Sequence, residues 1–227
     1  MKLFSLILAI TLLFAVTAAA ADISFGLKAG LALSNQDFEY QTDLGNDFDN
    51  RLGFQGGAFT EIALSPNLSL QADVQYIPAG FKIKFEETTP DSPEGTGKIL
   101  TVKPRIDYIS IPLLVKAGLP SGEIKPYLLA GPRVNIKVGA NQSLMAPLYD
   151  YIKDVSFGLT VGAGTEVRVS PKVALMFEFT YNPDFTNIFK ADEFASIFLR
   201  PTPTLESIKN RTISIQVGMR FGNVLPD

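Results

Sequence analysis

Ten charged residues stand at alternate positions on the small or polar side of otherwise apolar runs: Lys28, Glu61, Asp73, Lys116, Arg133, Lys137, Glu166, Arg168, Glu178 and Arg220. Carboxylates brought within a few ångströms of each other in an accessible cleft could carry acid–base or glycosidic chemistry. Carboxylates brought against Lys and Arg would instead form ion pairs, and a surplus of cations could line a narrow conduit. With six cations against four carboxylates, mutual neutralisation is the expected use, and no enzyme is expected. The chain has no His and no Cys. Ser-His-Asp and Cys-His triads, disulfides, and imidazole or thiolate metal sites are therefore excluded. The glycine-rich run Val161-Gly162-Ala163-Gly164-Thr165 lacks the Lys-Ser/Thr step and the helix that phosphate binding requires. No cofactor is expected. A net charge of −3 over 227 residues argues against a nucleic-acid partner.

The elements that position these residues alternate with period two, as a strand with one apolar face does. Eight such segments are legible: Ile23–Ser34, Leu52–Leu64, Leu68–Tyr76, Tyr108–Ala117, Pro126–Val138, Phe157–Val169, Val173–Tyr181 and Ile213–Phe221. In the third, Leu68, Leu70, Ala72, Val74 and Tyr76 oppose Ser69, Gln71, Asp73 and Gln75. Phe59 breaks the pattern by standing on a small or polar side.

Connection lengths separate a soluble sandwich from a closed barrel. Short links (Ser65-Pro66-Asn67, 118–125 and Ser170-Pro171-Lys172) alternate strictly with long ones at 35–51, 77–107, 139–156 and 182–210. An up-and-down barrel with short turns at one rim and long loops at the other produces this order. In hydrocarbon every backbone N–H and C=O needs an internal partner, so strands that cross a membrane must close into a cylinder. The expected fold is therefore all-β: an eight-stranded antiparallel up-and-down transmembrane β-barrel, with apolar faces toward lipid and the ten charged residues inside.

The first 21 residues carry one cation, Lys2, then an apolar run from Leu3 to Val16 and an Ala-rich exit at Ala18–Ala21. This reads as a secretory signal peptide, too short for a helical span and followed at once by Asp22. Residues 22–227 are then the barrel domain, with both chain ends on the short-turn, periplasmic side.

The strand motifs resemble those of the outer-membrane beta-barrel domain family of Bacteroidetes-type bacteria, the PorT-type or porin-like small barrels. Matching blocks are Gly26-Leu27-Lys28-Ala29-Gly30-Leu31, Leu68-Ser69-Leu70-Gln71-Ala72-Asp73-Val74-Gln75-Tyr76, Tyr108-Ile109-Ser110-Ile111-Pro112-Leu113-Leu114 and Lys125-Pro126-Tyr127. Val161-Gly162-Ala163-Gly164-Thr165-Glu166 and Gly218-Met219-Arg220-Phe221 also match. Ser110 and Asp73 stand where the family often has Glu, and Phe221 is followed by a six-residue tail where assembly usually reads a terminal aromatic. The resemblance implies a bacterial outer-membrane location and handling by the barrel assembly machinery. It implies no common activity, although a named member resembles a component of type IX secretion and gliding.

Three functional readings follow. One is a monomeric structural, adhesive or assembly-accessory barrel in outer-membrane lipid and lipopolysaccharide, with protein partners at loops 35–51 and 182–210. The others are a narrow solute channel and a soluble periplasmic barrel with an apolar cavity. The acidic loop residues Asp37, Glu39, Asp43, Asp47, Asp49, Glu86, Glu87, Asp91 and Glu94 are expected to be solvated. The apolar series from Phe185 to Leu199 is expected to lie on the membrane, cap the barrel or dock a partner.

Overall fold

A computed structural model describes residues 23–40, 49–86, 96–119, 123–140, 151–188 and 205–222. The expected leader and the six-residue tail after Phe221 lie outside these residues, apart from Gly222. Nine strands follow one another: β1 (Ile23–Tyr40), β2 (Asp49–Ser65), β3 (Leu68–Glu86), β4 (Ile99–Val102), β5 (Arg105–Gly118), β6 (Ile124–Ala140), β7 (Val155–Ser170), β8 (Val173–Pro183) and β9 (Leu205–Phe221). All pairings are antiparallel, and the order β1-β2-β3-β5-β6-β7-β8-β9 returns to β1. The barrel closes by a ladder running from Phe25↔Phe221 to Tyr40↔Leu205.

The expected eight-stranded barrel is therefore present, and two details differ. The strands extend further toward the long-loop rim than apolar alternation suggests, β3 by ten residues to Glu86. Above the apolar zone of β3 the period of two continues with its faces exchanged, Ile77, Ala79 and Phe81 buried inside and Lys82 and Lys84 outside, because backbone pairing needs no apolar outer face once water can solvate the side chains. The four-residue β4 pairs with the tip of β3. Lys103-Pro104 separates it from β5, and Pro104 brings no N–H to a ladder at that step.

The strand ends joined by the turns at Pro66-Asn67 and Pro171-Lys172, and those on either side of 119–123, share one rim with Ile23 and Phe221. The long connections share the other. The wall is inside-out. Leu27 is 62% exposed beside Lys28 at 4%, and Val74 is 54% exposed beside Asp73 at 1%. Phe25, Phe54, Phe177, Phe179, Ile215 and Val217 are exposed in the same way. A continuous apolar surface of this extent is unstable in water. It is also the reverse of a soluble barrel with an apolar cavity, since the apolar faces point outward.

Inside, bulk is placed where glycine makes room. A Cβ on Gly26 would lie 2.2 Å from Phe59 Cζ, and one on Gly164 would lie 2.4 Å from Tyr127 Cζ. Both are directly paired cross-strand neighbours. Each aromatic ring therefore lies flat over a glycine in the adjoining strand, the known way of covering a bare strand backbone. With Leu114, Leu129 and Met176, these two rings form an apolar ring inside the barrel. Phe59, the exception in the sequence pattern, belongs to it.

Candidate site: the barrel interior and its two mouths

The interior is layered from the short-turn rim upward. In the lowest layer Lys116 Nζ lies 3.0 Å from Glu61 Oε2 and also pairs with Glu166, while Arg220 Nη2 lies 2.9 Å from Glu166 Oε2. Ser69 Oγ donates to Glu61 at 2.7 Å. Lys116 also sits 4.2 Å from the centre of the Tyr127 ring, a cation–π distance.

The apolar ring comes next. On β2 and β5 it is one inward step further from this rim, Phe59 after Glu61 and Leu114 after Lys116.

The middle layer centres on Lys28, whose Nζ is 2.8 Å from both Asp73 Oδ2 and Glu178 Oε1. Gln71 and Gln75 donate to the two Asp73 oxygens at 2.8 and 2.6 Å. The Tyr127 hydroxyl donates to Glu178 at 3.2 Å, so it links the layers.

The upper layer is built on Asp184. Its Oδ1 accepts from Arg133 Nη2 at 2.6 Å and Asn135 Nδ2 at 2.9 Å. Its Oδ2 accepts from Asn210 Nδ2 at 3.0 Å and Ser156 Oγ at 3.2 Å. Arg133 also donates to the Asn182 carbonyl at 3.1 Å.

Eight of the ten expected interior residues meet in these layers: Lys28, Glu61, Asp73, Lys116, Arg133, Glu166, Glu178 and Arg220, all buried. Two stand apart. Lys137 turns to the long-loop mouth, 2.9 Å from Asp154 Oδ1, and donates to the Ile152 carbonyl at 2.6 Å. Arg168 is half-buried beside the irregularity that precedes Ser170. Asp184 was absent from the sequence-derived set. It extends the β8 alternation Glu178, Thr180, Asn182 by one more step, and Pro183 disguises that step as a loop. Within the layers four cations therefore meet five carboxylates, which corrects the expected surplus of cations. Physically, pairing is required here because an unpaired charge in so narrow a barrel carries a large desolvation penalty.

The long-loop mouth is covered by the start of the fourth connection, which turns inward. Asp184 N donates to Asn210 O at 2.9 Å and Ile188 N to Ile208 O at 2.9 Å. Ile188 is fully buried, with Ile152 and Ile208 also buried. Of the outcomes expected for this apolar series, capping is what its first residues do, although Phe185 remains exposed. The rest of the series, from Phe189, lies outside the described residues.

Cavities interrupt the packing among the described residues, and two of them bear on these layers. One of about 70 Å³ opens at the short-turn rim and is lined by Glu61, Lys116, Tyr127, Glu166 and Arg220. The other, about 10 Å³, lies between Asp73, Ser110, Arg133 and Glu178. A single water needs about 10–15 Å³. Among the described residues no group of three or more carboxylates is placed to hold a metal ion, and no helix is long and apolar enough to cross a membrane.

A search of curated proteins finds no match. Among solved structures, the chain is similar to the Neisserial surface protein A (NspA), with 17% identity over 87% of this chain and 96% of that one, TM-score 0.44. It is similar to the outer membrane protein OprG from Pseudomonas aeruginosa, with 12% identity over 88% and 97%, TM-score 0.48. It is also similar to the E. coli Outer Membrane Protein W, with 16% identity over 89% and 98%, TM-score 0.46. Residues 6–221 match a family described as the outer membrane protein beta-barrel domain. That match covers every strand of the cylinder, and the chain belongs to this outer-membrane β-barrel family.

Proposed function

We propose that the protein is a non-enzymatic outer-membrane barrel that works through its long-loop rim, in a structural, adhesive or assembly- and secretion-accessory role. In this reading the short-turn rim and both chain ends face the periplasm, which suits a chain exported through an N-terminal leader. Lipid and lipopolysaccharide surround the apolar wall, the assembly machinery inserts the chain, and protein partners meet the loops that begin after Tyr40 and Pro183.

One observation carries the proposal: paired charges and the apolar ring occupy the lumen, and the cavity between Asp73, Ser110, Arg133 and Glu178 measures about 10 Å³. Chemistry directed at a partner then has to come from the rims. The competing channel reading is favoured only by the 70 Å³ cavity at the short-turn mouth, which stops beneath Leu114, Leu129 and Met176. Labelling intact cells with a membrane-impermeant maleimide tests the orientation: Thr96→Cys should react and Asn67→Cys should not. Purified protein in planar bilayers should be electrically silent across voltage and salt, and discrete single-channel steps would refute the filled-lumen reading.

A further inference from the structure

The outer face of β3 and β5 has a depth profile of its own. Up β3 the outward positions run Leu68, Leu70, Ala72, Val74, Tyr76, Pro78, Gly80, Lys82 and Lys84. Up β5 they run Val115, Leu113, Ile111, Ile109, Asp107 and Arg105, with exposed Lys103 just beyond. From Leu68 to Pro78 a strand at about 3.3 Å per residue, tilted by roughly 40°, climbs about 25 Å, the height of the apolar band in outer-membrane barrels. At the top of that band aliphatic residues give way to Tyr76, and above it to cations.

The charges there do not cancel. Asp107 is the carboxylate at this level, 3.0 Å from Arg105 Nε and accepting from the Tyr76 hydroxyl at 2.7 Å. Arg51 approaches the same group where the β2–β3 ladder is interrupted between Asn50↔Phe81 and Gly56↔Tyr76. It is close enough to Arg105 for their like charges to repel, and its Nη1 is buried without an acceptor. Higher up, Lys84 Nζ is held 2.6 Å from Asp49 Oδ2. Among the described side chains, Arg51, Lys82, Lys84, Lys103 and Arg105 thus face only Asp49 and Asp107. Among these described side chains cations therefore outnumber carboxylates, on a chain whose net charge is −3.

We propose that this basic edge, centred on Lys82, Lys103 and Arg105, binds the phosphate of an outer-leaflet glycolipid whose acyl chains lie on the apolar band below. The inference rests on the orientation proposed above, with the long-loop rim outside. The apolar band continues directly into the cationic edge, so one amphiphile carrying a phosphate at its head satisfies both surfaces. Guanidinium and ammonium groups suit the phosphate oxygens, and Tyr76 stands at the boundary where an amphipathic ring is favoured.

The test uses the full-length barrel in detergent, with native mass spectrometry scoring bound lipid. The probes are a phosphorylated lipid A, the same lipid after dephosphorylation, and inorganic phosphate. The expected result is selective retention of the phosphorylated lipid, with no comparable retention of the dephosphorylated lipid or of inorganic phosphate. Replacing Lys82, Lys103 and Arg105 by Gln should weaken that retention by about a hundredfold, at about fivefold per cation. Lys153→Gln, elsewhere on the same rim, and Lys172→Gln, on the opposite rim, should leave it unchanged. Retained heat-modifiable migration shows that each variant is folded. Equal retention of the two lipids, or by the triple variant and the parent, overturns the site, and so does equal binding of free phosphate. Labelling of Asn67→Cys from outside with Thr96→Cys silent would instead overturn the orientation, a separate outcome.

Discussion

The sharpest energetic consequence concerns Asp184. Its carboxylate is the acceptor for four side-chain donors, one of them the Arg133 guanidinium at 2.6 Å, and both side chains of that ion pair are almost fully buried. Asp184→Ala removes the only ion-pair partner found for Arg133 among the described residues and leaves the Asn210 amide without its Asp184 acceptor, while Asn135 keeps Ser156 Oγ at 3.1 Å. Breaking a buried pair by deleting one partner costs about 3–5 kcal/mol, because the remaining charge stays desolvated. Each orphaned neutral donor adds about 1 kcal/mol. Local relaxation and water entry at the nearby mouth offset part of this, so the expected loss is about 4 kcal/mol. Urea titration in phosphocholine bilayers, read by the migration difference between folded and unfolded barrel, measures it. Removing both charges with Arg133→Met and Asp184→Leu should recover more than half of the loss, since no buried charge is then unpaired. A single-variant loss under 1 kcal/mol would refute the reasoning, and so would a double variant as unstable as the single.

Gly164→Ala places a methyl group inside the Tyr127 ring and should destabilise the barrel by about 1–3 kcal/mol, whereas Ala163→Val on the outer face should be nearly neutral in the same titration. Leu114→Ala and Met176→Ala should each cost about 2–5 kcal/mol, because they open space in the apolar ring inside the lumen. Hydrogen bonding and the Lys84 ammonium hold the exposed Asp49 carboxyl below the usual aspartate range. Its contribution is therefore complete above the unfolded-state value and is lost only as pH falls through the lower folded value. A carboxyl titration followed by NMR should show this, and Lys84→Gln should move the midpoint up.

Much of the architecture was legible in the order of residues. A strict two-residue period has only one geometric meaning in an extended chain, so Leu70, Ala72 and Val74 had to share a face opposite Gln71, Asp73 and Gln75. The alternation of short and long links then limited how eight such strands could be joined. Eight of the ten charged residues assigned to the inside meet there because face assignment is local. The strand ends were less legible. Apolar residues on the outer face mark the zone in contact with lipid, whereas backbone pairing runs on beyond it, as β3 does where Ile77, Ala79 and Phe81 move the apolar side of the alternation to the buried face.

Which charge meets which was settled only by tertiary structure. Lys28 is 150 residues from Glu178 in sequence and 2.8 Å away in space. Its height relative to Glu178 is set by two pairings through β9, Lys28↔Gly218 and Glu178↔Gln216, and the first of these exists only when the cylinder closes. The same holds for the place of Asp184, hidden behind Pro183, and for the closing of the mouth by Ile188. Period two is a property of one strand and can be read from it; stagger is a property of the closed sheet and exists only once the last strand has met the first.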